Sequence, residues 1–329
     1  MKVLLTGANG FVGSHVLDGL LAAGHDARLL LRETSNTRFI ADHLARTEVR
    51  YGSLDAPEPL RGAVAGVDAV IHCAGVTKAA RRAAYHAANA AGALHVAEAC
   101  NASEATVRRL VLISSLAATG PGTVEAPARA DGPARPVSEY GRSKLEGERH
   151  VRERCRVPWT ILRPAAVYGP RDRDFLLVFR GVRGRLVPVF GGSKPLSLVY
   201  VEDLADCVLR ALDAEHGAGG TYHVAHPDPV TQRAFMRAIE AAVGARPVHV
   251  RVPGLAVTAA CAARGAWARL SGRPGILSMD KAAELRAPGW VCDTADAARD
   301  LGFEASTRLA DGLGRTAEWY AEAGWLRHG

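Results

Sequence analysis

Residues 2–32 read KVLLTGANGFVGSHVLDGLLAAGHDARLLLR. A short β-type run, KVLL, gives way to a glycine turn. Apolar residues then recur at helical spacing, at Val12, Val16, Leu17, Leu20 and Leu21, until Gly24 stops them. A second apolar run, ARLLL, follows at once. Strand, glycine turn, helix and strand in so short a span make a βαβ unit, with parallel strands and a right-handed crossover. The opening of the chain therefore predicts a layered α/β fold rather than a bundle or a sandwich.

Across that turn Gly7, Gly10 and Gly13 are spaced GxxGxxG. Glycines in a tight turn with close helix packing are the plainer reading. A pattern that leaves a strand and opens a helix is also the context a dinucleotide requires. There the backbone approaches a pyrophosphate closely, and the free N–H groups and positive dipole of the helix N-terminus hold its charge. The second strand ends at Arg32, with Arg38 soon after, where an NAD site usually carries a carboxylate for the ribose 2′-OH. An arginine there suits a 2′-phosphate. Glu33 next door speaks for NAD(H), so the expectation is NADP(H) favoured over NAD(H).

Composition agrees with an ordinary globular chain. Of 329 residues 48% are hydrophobic and 23% charged, enough to bury a large core. The formal net charge of +7 is spread along the chain and mixed with acids. Without a basic tail and with 6% aromatic residues, it argues for solvated surface charge and against a nucleic-acid groove. Six cysteines, at 73, 100, 155, 207, 261 and 292, show neither CxxC nor short spacing to histidine. Reduced thiols of a cytoplasmic protein, and no metal site, are expected. The run VLLTG breaks at Gly7 and reads as a strand rather than a signal peptide. The most apolar later stretch, LAVTAACAARGAWARL at 255–270, is interrupted by Arg264 and reads as an Ala-rich packing helix, too short to span a membrane.

Working outward, EVRYGSL, DAVIHCAG, RLVLISS and WTILRPAAVYG read as further strands, with an Ala-rich helix over roughly 80–101 and another helix from about Glu139. This alternation predicts a doubly wound parallel sheet of Rossmann type, with ligands beyond the carboxyl ends of its strands. After residue 170 the pattern loosens. SLVYVEDLADCVLRAL and GTYHVA read as a helix and strand returning to the first domain. Residues 1–170 with 196–225 are thus assigned to dinucleotide binding, and 171–195 with 226–329 to a smaller, mainly helical substrate lobe.

The stretch SEYGRSKLEG, residues 138–147, sets Tyr140 and Lys144 four apart, on one face of a helix. A phenol titrates near 10, too high for proton exchange at neutral pH. An ammonium at ~4 Å in an effective dielectric of about 20 favours the phenolate by roughly 4 kcal/mol, or about three pKa units. Tyr140 is then expected to act as general acid or base. A hydroxyl is also needed on the substrate oxygen, and the fifth strand ends in Ser114 and Ser115.

Taken together, TGANGFVGSH, VIHCAG, Asn89, LISSLAATG, YGRSK, LRPAAVYGP and VYVEDLAD resemble, in order and spacing, the extended short-chain dehydrogenase/reductase family. The resemblance implies that Gly7, Asn9, Gly10, Phe11, Val12 and Gly13 surround the pyrophosphate, Arg32 the ribose, and Ser53 and Leu54 the adenine. It places Ala74, Gly75, Asn89, Pro164 and Val167 along the rest of the cofactor, gives Lys144 the nicotinamide ribose, and selects Ser115 over Ser114 as the catalytic hydroxyl beside Tyr140. Dehydratases of this kind carry Asp-Glu after that hydroxyl, where this chain has Leu116 and Ala117. Sugar-nucleotide epimerases usually carry an arginine where Leu196 stands, unless Lys194 or another arginine replaces it. The run from Trp290 to Leu326 looks more like relatives acting on hydrophobic alcohols and ketones.

The expected activity is transfer of the 4-pro-S hydride between nicotinamide and a ketone or secondary alcohol. The alternative is an epimerase that keeps its cofactor bound; a fold retained for cofactor sensing alone is a third option. Lys78, Arg81, Arg82, Tyr85 and His86 lie near the presumed cleft, either as a solvated helix start or as an attraction for an anionic substrate. By resemblance a homodimer is expected, paired through the helices near 80–100 and around Tyr140.

Overall fold

The computed structural model describes residues 1–184, 186–190, 194–213, 217–252, 263, 267 and 279–326. The opening unit folds as read: strand β1 (Lys2–Thr6), helix α1 (Phe11–Ala22) and strand β2 (Asp26–Leu31). Strands β3 (Glu48–Tyr51), β4 (Ala69–His72), β5 (Arg109–Ile113) and β6 (Trp159–Pro164) follow in the same sheet. Its edge is closed by Gly220–Val224, which pairs in parallel with β6. The seven strands are parallel and run, from one edge, Gly220–Val224, β6, β5, β4, β1, β2, β3. The order reverses between β1 and β4, which opens a crevice at their carboxyl ends.

Alternation within the strands builds a core on each face. Val3, Leu5, Leu29 and Leu31 join Val16, Leu17 and Leu20 of α1 and Leu204 and Val208 of helix Val201–Asp213. Leu4, Leu30, Val70, Leu110 and Leu112 face the other way, onto Leu60, Val96, Cys100 and Val151. Each such fully buried side chain contributes about 1.5–3 kcal/mol, so neither layer of helices is free to swing away.

The expected helix near 80–101 is present over Arg82–Ala102, but it is not α-helical throughout. Arg82–Tyr85 is α-helical, His86–Ala91 widens to a π turn, and α-helix resumes over Gly92–Ala102. A π turn adds a residue to the helix and is frequent at functional sites.

The smaller lobe has its own core of Phe179, Leu198, Tyr200, Phe235, Ile239, Leu313 and Tyr320. It is built from helices Leu176–Arg183, Gln232–Val243 and Leu309–Glu322, with two-stranded pieces such as Leu186–Phe190 against Val248–Val252. Ala297, Leu301, Phe303 and Ala305 pack with α1 and the sheet rather than in this core. The segment 295–305 thus returns to the sheet, its apolar residues covering the face beside Tyr222. The Ala-rich stretch at 255–270 lies almost wholly outside the described residues.

Among the described residues no helix is long and apolar enough to cross a membrane, and no group of three or more His, Cys, Asp or Glu is placed to hold a metal. Five of the six cysteines are described, all free, and burial pushes the Cys100, Cys207 and Cys292 thiols up.

Candidate active site

The glycine turn is shaped by contact as much as by conformation. Gly7 has φ +76°, and a methyl there would lie 2.6 Å from the Ala74 nitrogen. A methyl on Gly13 would lie 2.1 Å from the Gly7 carbonyl oxygen. The turn is thereby pressed against the exit of β4. Gly10 is the N-cap of α1 and offers no side chain, and the first helical turn contains no acid. The leading amides of α1 and its positive end are left for an anion, which is the fit a pyrophosphate needs. Asn9 reaches over the turn to donate to the Asn36 carbonyl at 3.4 Å. Phe11 rests edge-on against His15, and Val12 packs into the core.

Further along the crevice, Asn89 projects from the π turn. Its side chain accepts from the Val76 amide at 2.9 Å and donates to the Val76 carbonyl and the Ser143 hydroxyl, both at 3.0 Å. It thus fastens the β4 exit to helix α6 (Glu139–Arg154). A methyl on Gly75 would sit 2.8 Å from Asn89 Oδ1 and 3.3 Å from Lys144 Nζ, so this exit, with Ala74 beside it, runs close beneath the lysine. Leu54 packs on the far face of the sheet, and the Ser53 hydroxyl bonds Asp55. Pro164 ends β6, and Val167 pairs with Val199. Arg32 extends into solvent, and its backbone N–H donates to Ser35 Oγ at 3.0 Å.

Helix α6 starts at Ser138, whose hydroxyl accepts from the Gly141 amide at 3.1 Å. Capping of this kind is worth about 1 kcal/mol and fixes where the helix begins. It places Tyr140 in the first turn and Lys144 one turn on. Ser115 caps the short helix Leu116–Thr119, its hydroxyl accepting from the Ala117 amide at 3.1 Å, and is also hydrogen-bonded to the Tyr140 phenol. Its neighbour Ser114 points the other way and donates to buried Glu148.

The electrostatics depart from expectation. Lys144, 8% exposed, donates to the Ile113 carbonyl at 2.8 Å. Burial lowers its pKa, while Cys73 and Glu148 oppose that shift. The Tyr140 phenol is pushed up to about 12, first by burial, against the bond from Ser115, with Glu284, Cys73 and Tyr85 adding to the rise. Lys144 is not among the groups that shift it, and its ammonium donates to the Ile113 carbonyl. These residues alone therefore hold Tyr140 as a neutral proton donor at neutral pH.

Several contributors were not read from the sequence. Glu148 is fully buried and bidentate to Arg163, at 2.9 and 2.6 Å, and accepts from Arg152 at 2.9 Å. Arg163 also donates to Thr119 at 2.9 Å, and Thr119 meets His223 at 2.8 Å. This network locks α6, the Ser114–Ser115 turn and β6 together beneath the site. Its signal was available, since Glu148 lies four residues beyond Lys144 on the same helical face. Tyr85 is buried with its ring 6.3 Å from that of Tyr140.

Of the other charges near the cleft, Lys78, Arg82 and His86 are engaged, while Arg81 is exposed. Lys78 pairs with Asp174, Arg82 with Glu139 at 2.8 Å, and His86 with Glu139 and Glu146. Lys194 donates to the Leu285 carbonyl at 2.6 Å. Leu196, where an epimerase arginine was sought, sits in a two-stranded piece against Val230.

A doubly wound sheet with a glycine turn for a dinucleotide and a Ser, Tyr and Lys beneath it defines a nicotinamide-dependent oxidoreductase of the extended short-chain type. The family model described as the NAD dependent epimerase/dehydratase family matches residues 3–225, and the chain belongs to that family. It is 31% identical to a ceramide reductase of Caulobacter vibrioides over 98% of this chain and 96% of that one. It is 29% identical to a 2-alkyl-3-oxoalkanoate reductase of Stenotrophomonas maltophilia, over 96% and 98%. Similarity to a UDP-glucose 4-epimerase of Mycolicibacterium smegmatis is 30% over 74% of this chain and 83% of that one.

Proposed function

We propose that the chain is an NADP(H)-dependent carbonyl reductase, acting on a ketone borne by an alkyl-chain substrate, with an anionic group on it as one option. The observation that carries this reading is the Tyr140 phenol, neutral and half-buried, hydrogen-bonded to the Ser115 hydroxyl with Lys144 one turn away.

The cofactor, when bound, supplies the hydride. The α1 amides and the glycine turn hold its pyrophosphate, and Lys144 holds the nicotinamide ribose. Ser115 donates to the substrate oxygen and keeps it beside Tyr140. As charge develops on that oxygen, Tyr140 Oη gives up its proton, and the hydroxyl and ammonium stabilise the charge that moves. The phenolate left behind is sheltered by Lys144, whose attraction strengthens with that negative charge.

Two observations favour net reduction over epimerisation. The reductase relatives align over 98% and 96% of the chain, whereas the epimerase aligns over 74%. Lys194 is committed to Leu285 rather than free to clamp a diphosphate. Separately, Leu116 and Ala117 supply no acid and base for dehydration. A homodimer through helix Gly92–Ala102 and α6, in the cytoplasm, belongs to the same reading. Oxidation of NADPH by a panel of 3-oxo fatty acyl compounds and lipid ketones tests it. Turnover with stoichiometric alcohol supports it; interconversion of UDP-sugars without net cofactor turnover overturns it.

A further inference from the structure

At the adenosine end of the crevice two guanidinium groups converge on one indole. The Arg38 guanidinium carbon lies 4.3 Å from the Phe39 ring centroid and 4.8 Å from that of Trp325, and the Arg173 carbon lies 5.5 Å from the same Trp325 ring. The two come from distant parts of the chain, Arg38 from the loop after β2 and Arg173 from the loop after Ala166–Tyr168. Both are exposed. Several other arginines have carboxylate partners: Arg28 has Glu48, Arg171 has Asp18 and Arg163 has Glu148. Among the described residues neither Arg38 nor Arg173 has a carboxylate partner. Like charges brought together without a counter-charge are unfavourable unless something binds between them; the pKa of Arg38 is lowered by burial and then by Arg173.

The frame around the pair is rigid. Trp325 stacks on Tyr320 at 5.8 Å, meets Trp319 edge-on at 5.0 Å, and its carbonyl accepts from Arg180 at 3.2 Å. On one side of Arg173, Arg171 is held to Asp18 at 2.8 Å. On the other, the Asp172 carboxylate accepts from the amides of Asp174 and Phe175, and its carbonyl accepts from the Tyr320 hydroxyl at 2.7 Å. The Arg38 amide donates to Asn36 Oδ1 at 3.1 Å, and the Asn36 carbonyl accepts from Asn9 of the glycine turn. Two hydrogen bonds therefore connect the proposed pyrophosphate seat to Arg38. A guanidinium laid on an aromatic face keeps its N–H edge free, the edge that grips phosphate oxygens in pairs.

We propose that Arg38 and Arg173, seated on Trp325, form a clamp for a phosphate monoester on the nucleotide held by the glycine turn, the ribose 2′-phosphate of NADP(H). This rests on the nucleotide reading of that turn and adds Arg173, from the loop after Ala166–Tyr168, to the cofactor choice that the sequence assigned to Arg32 with Arg38. The same loop is tied to the segment after β4 by the Lys78–Asp174 ion pair.

The test compares 2′,5′-ADP with 5′-ADP as ligands of the intact protein, read by calorimetry and by Trp fluorescence. The wild type is expected to bind 2′,5′-ADP more tightly, with the advantage shrinking as salt rises. Arg173→Ala is expected to weaken 2′,5′-ADP about tenfold to hundredfold while leaving 5′-ADP unchanged, from the loss of charge-assisted hydrogen bonds. Arg173→Lys should recover part of the loss, as a charge without the fork. Equal binding of both nucleotides by the wild type, or equal weakening of both in Arg173→Ala, overturns the clamp and leaves the glycine turn as a nucleotide site. Binding of neither overturns the clamp and the nucleotide reading together. A change confined to the KM of the carbonyl substrate assigns the pair to a substrate anion and also overturns it.

Discussion

The two sides of the crevice are held by different physics. On the nucleotide side, backbone meets backbone: Gly7 against Ala74, Gly13 against Gly7, with no room for a methyl group. On the small-lobe side, aromatic rings meet at 5–6.5 Å, as in Phe179 on Tyr320 and Phe175 on Phe235. Backbone contact admits one residue type and one geometry. Ring packing tolerates repacking of similar volumes, so this side is free to be shaped by substrate while the other is held to one cofactor.

That contrast breaks most visibly at the glycine turn. Gly13→Val should abolish nucleotide binding, since even a methyl carbon would meet the Gly7 oxygen at 2.1 Å. A shift of that backbone withdraws the α1 amides, and titration with 5′-ADP reads the loss directly. Phe179→Ala, by comparison, should cost about 3–5 kcal/mol of stability, raise the KM for the carbonyl substrate, and leave nucleotide affinity close to wild type.

Beneath the site, Glu148→Gln leaves Arg163 buried without its carboxylate. A fall in stability of about 3–5 kcal/mol is expected from urea unfolding. A fall in kcat with little change in KM should accompany it, because the network sets the Ser115 turn against α6.

Acid should act on both sides at once. His15, His72 and His223 are held neutral by burial, with pKa values lowered to about 4, 3 and 4. Each is therefore protonated in the unfolded chain before it is in the folded one. Their contribution is fully present above about pH 6.5 and is lost as pH falls toward 4, by up to about 1.4 kcal/mol per pH unit for each. Asp172, raised to about 6 by burial, opposes this in the same range with one proton against three. Melting temperature against pH reads the balance, and His72→Gln should flatten the curve. The smallest effect belongs to the Lys78–Asp174 pair, which is partly exposed. Lys78→Ala should change stability by under about 1 kcal/mol, yet speed release of the bound nucleotide.

The same contrast explains what was legible in the sequence. The βαβ unit, the order of strands and helices, and the turn carrying Tyr140 are written in local periodicity, glycine spacing and capping residues. The π turn at His86–Ala91 was not, since helical spacing there differs by a single residue from an ordinary helix. Nor was the return of 295–305 to the sheet, because its apolar residues state that they are buried without saying where. Arg173 and Trp325 are 152 positions apart, and only the folded chain brings them together. For Tyr140 the spacing reveals the neighbouring cation, but neither the burial that raises the phenol nor the Ile113 carbonyl to which the ammonium donates.

Transient oxidation of NADPH by an alkyl ketone, compared between wild type and Tyr140→Phe across pH, asks most directly whether this phenol delivers the proton. A loss of about 10²–10⁴-fold in kcat, with 5′-ADP affinity and melting temperature unchanged, is the expected result. Unchanged turnover and an unchanged pH profile in Tyr140→Phe would contradict it.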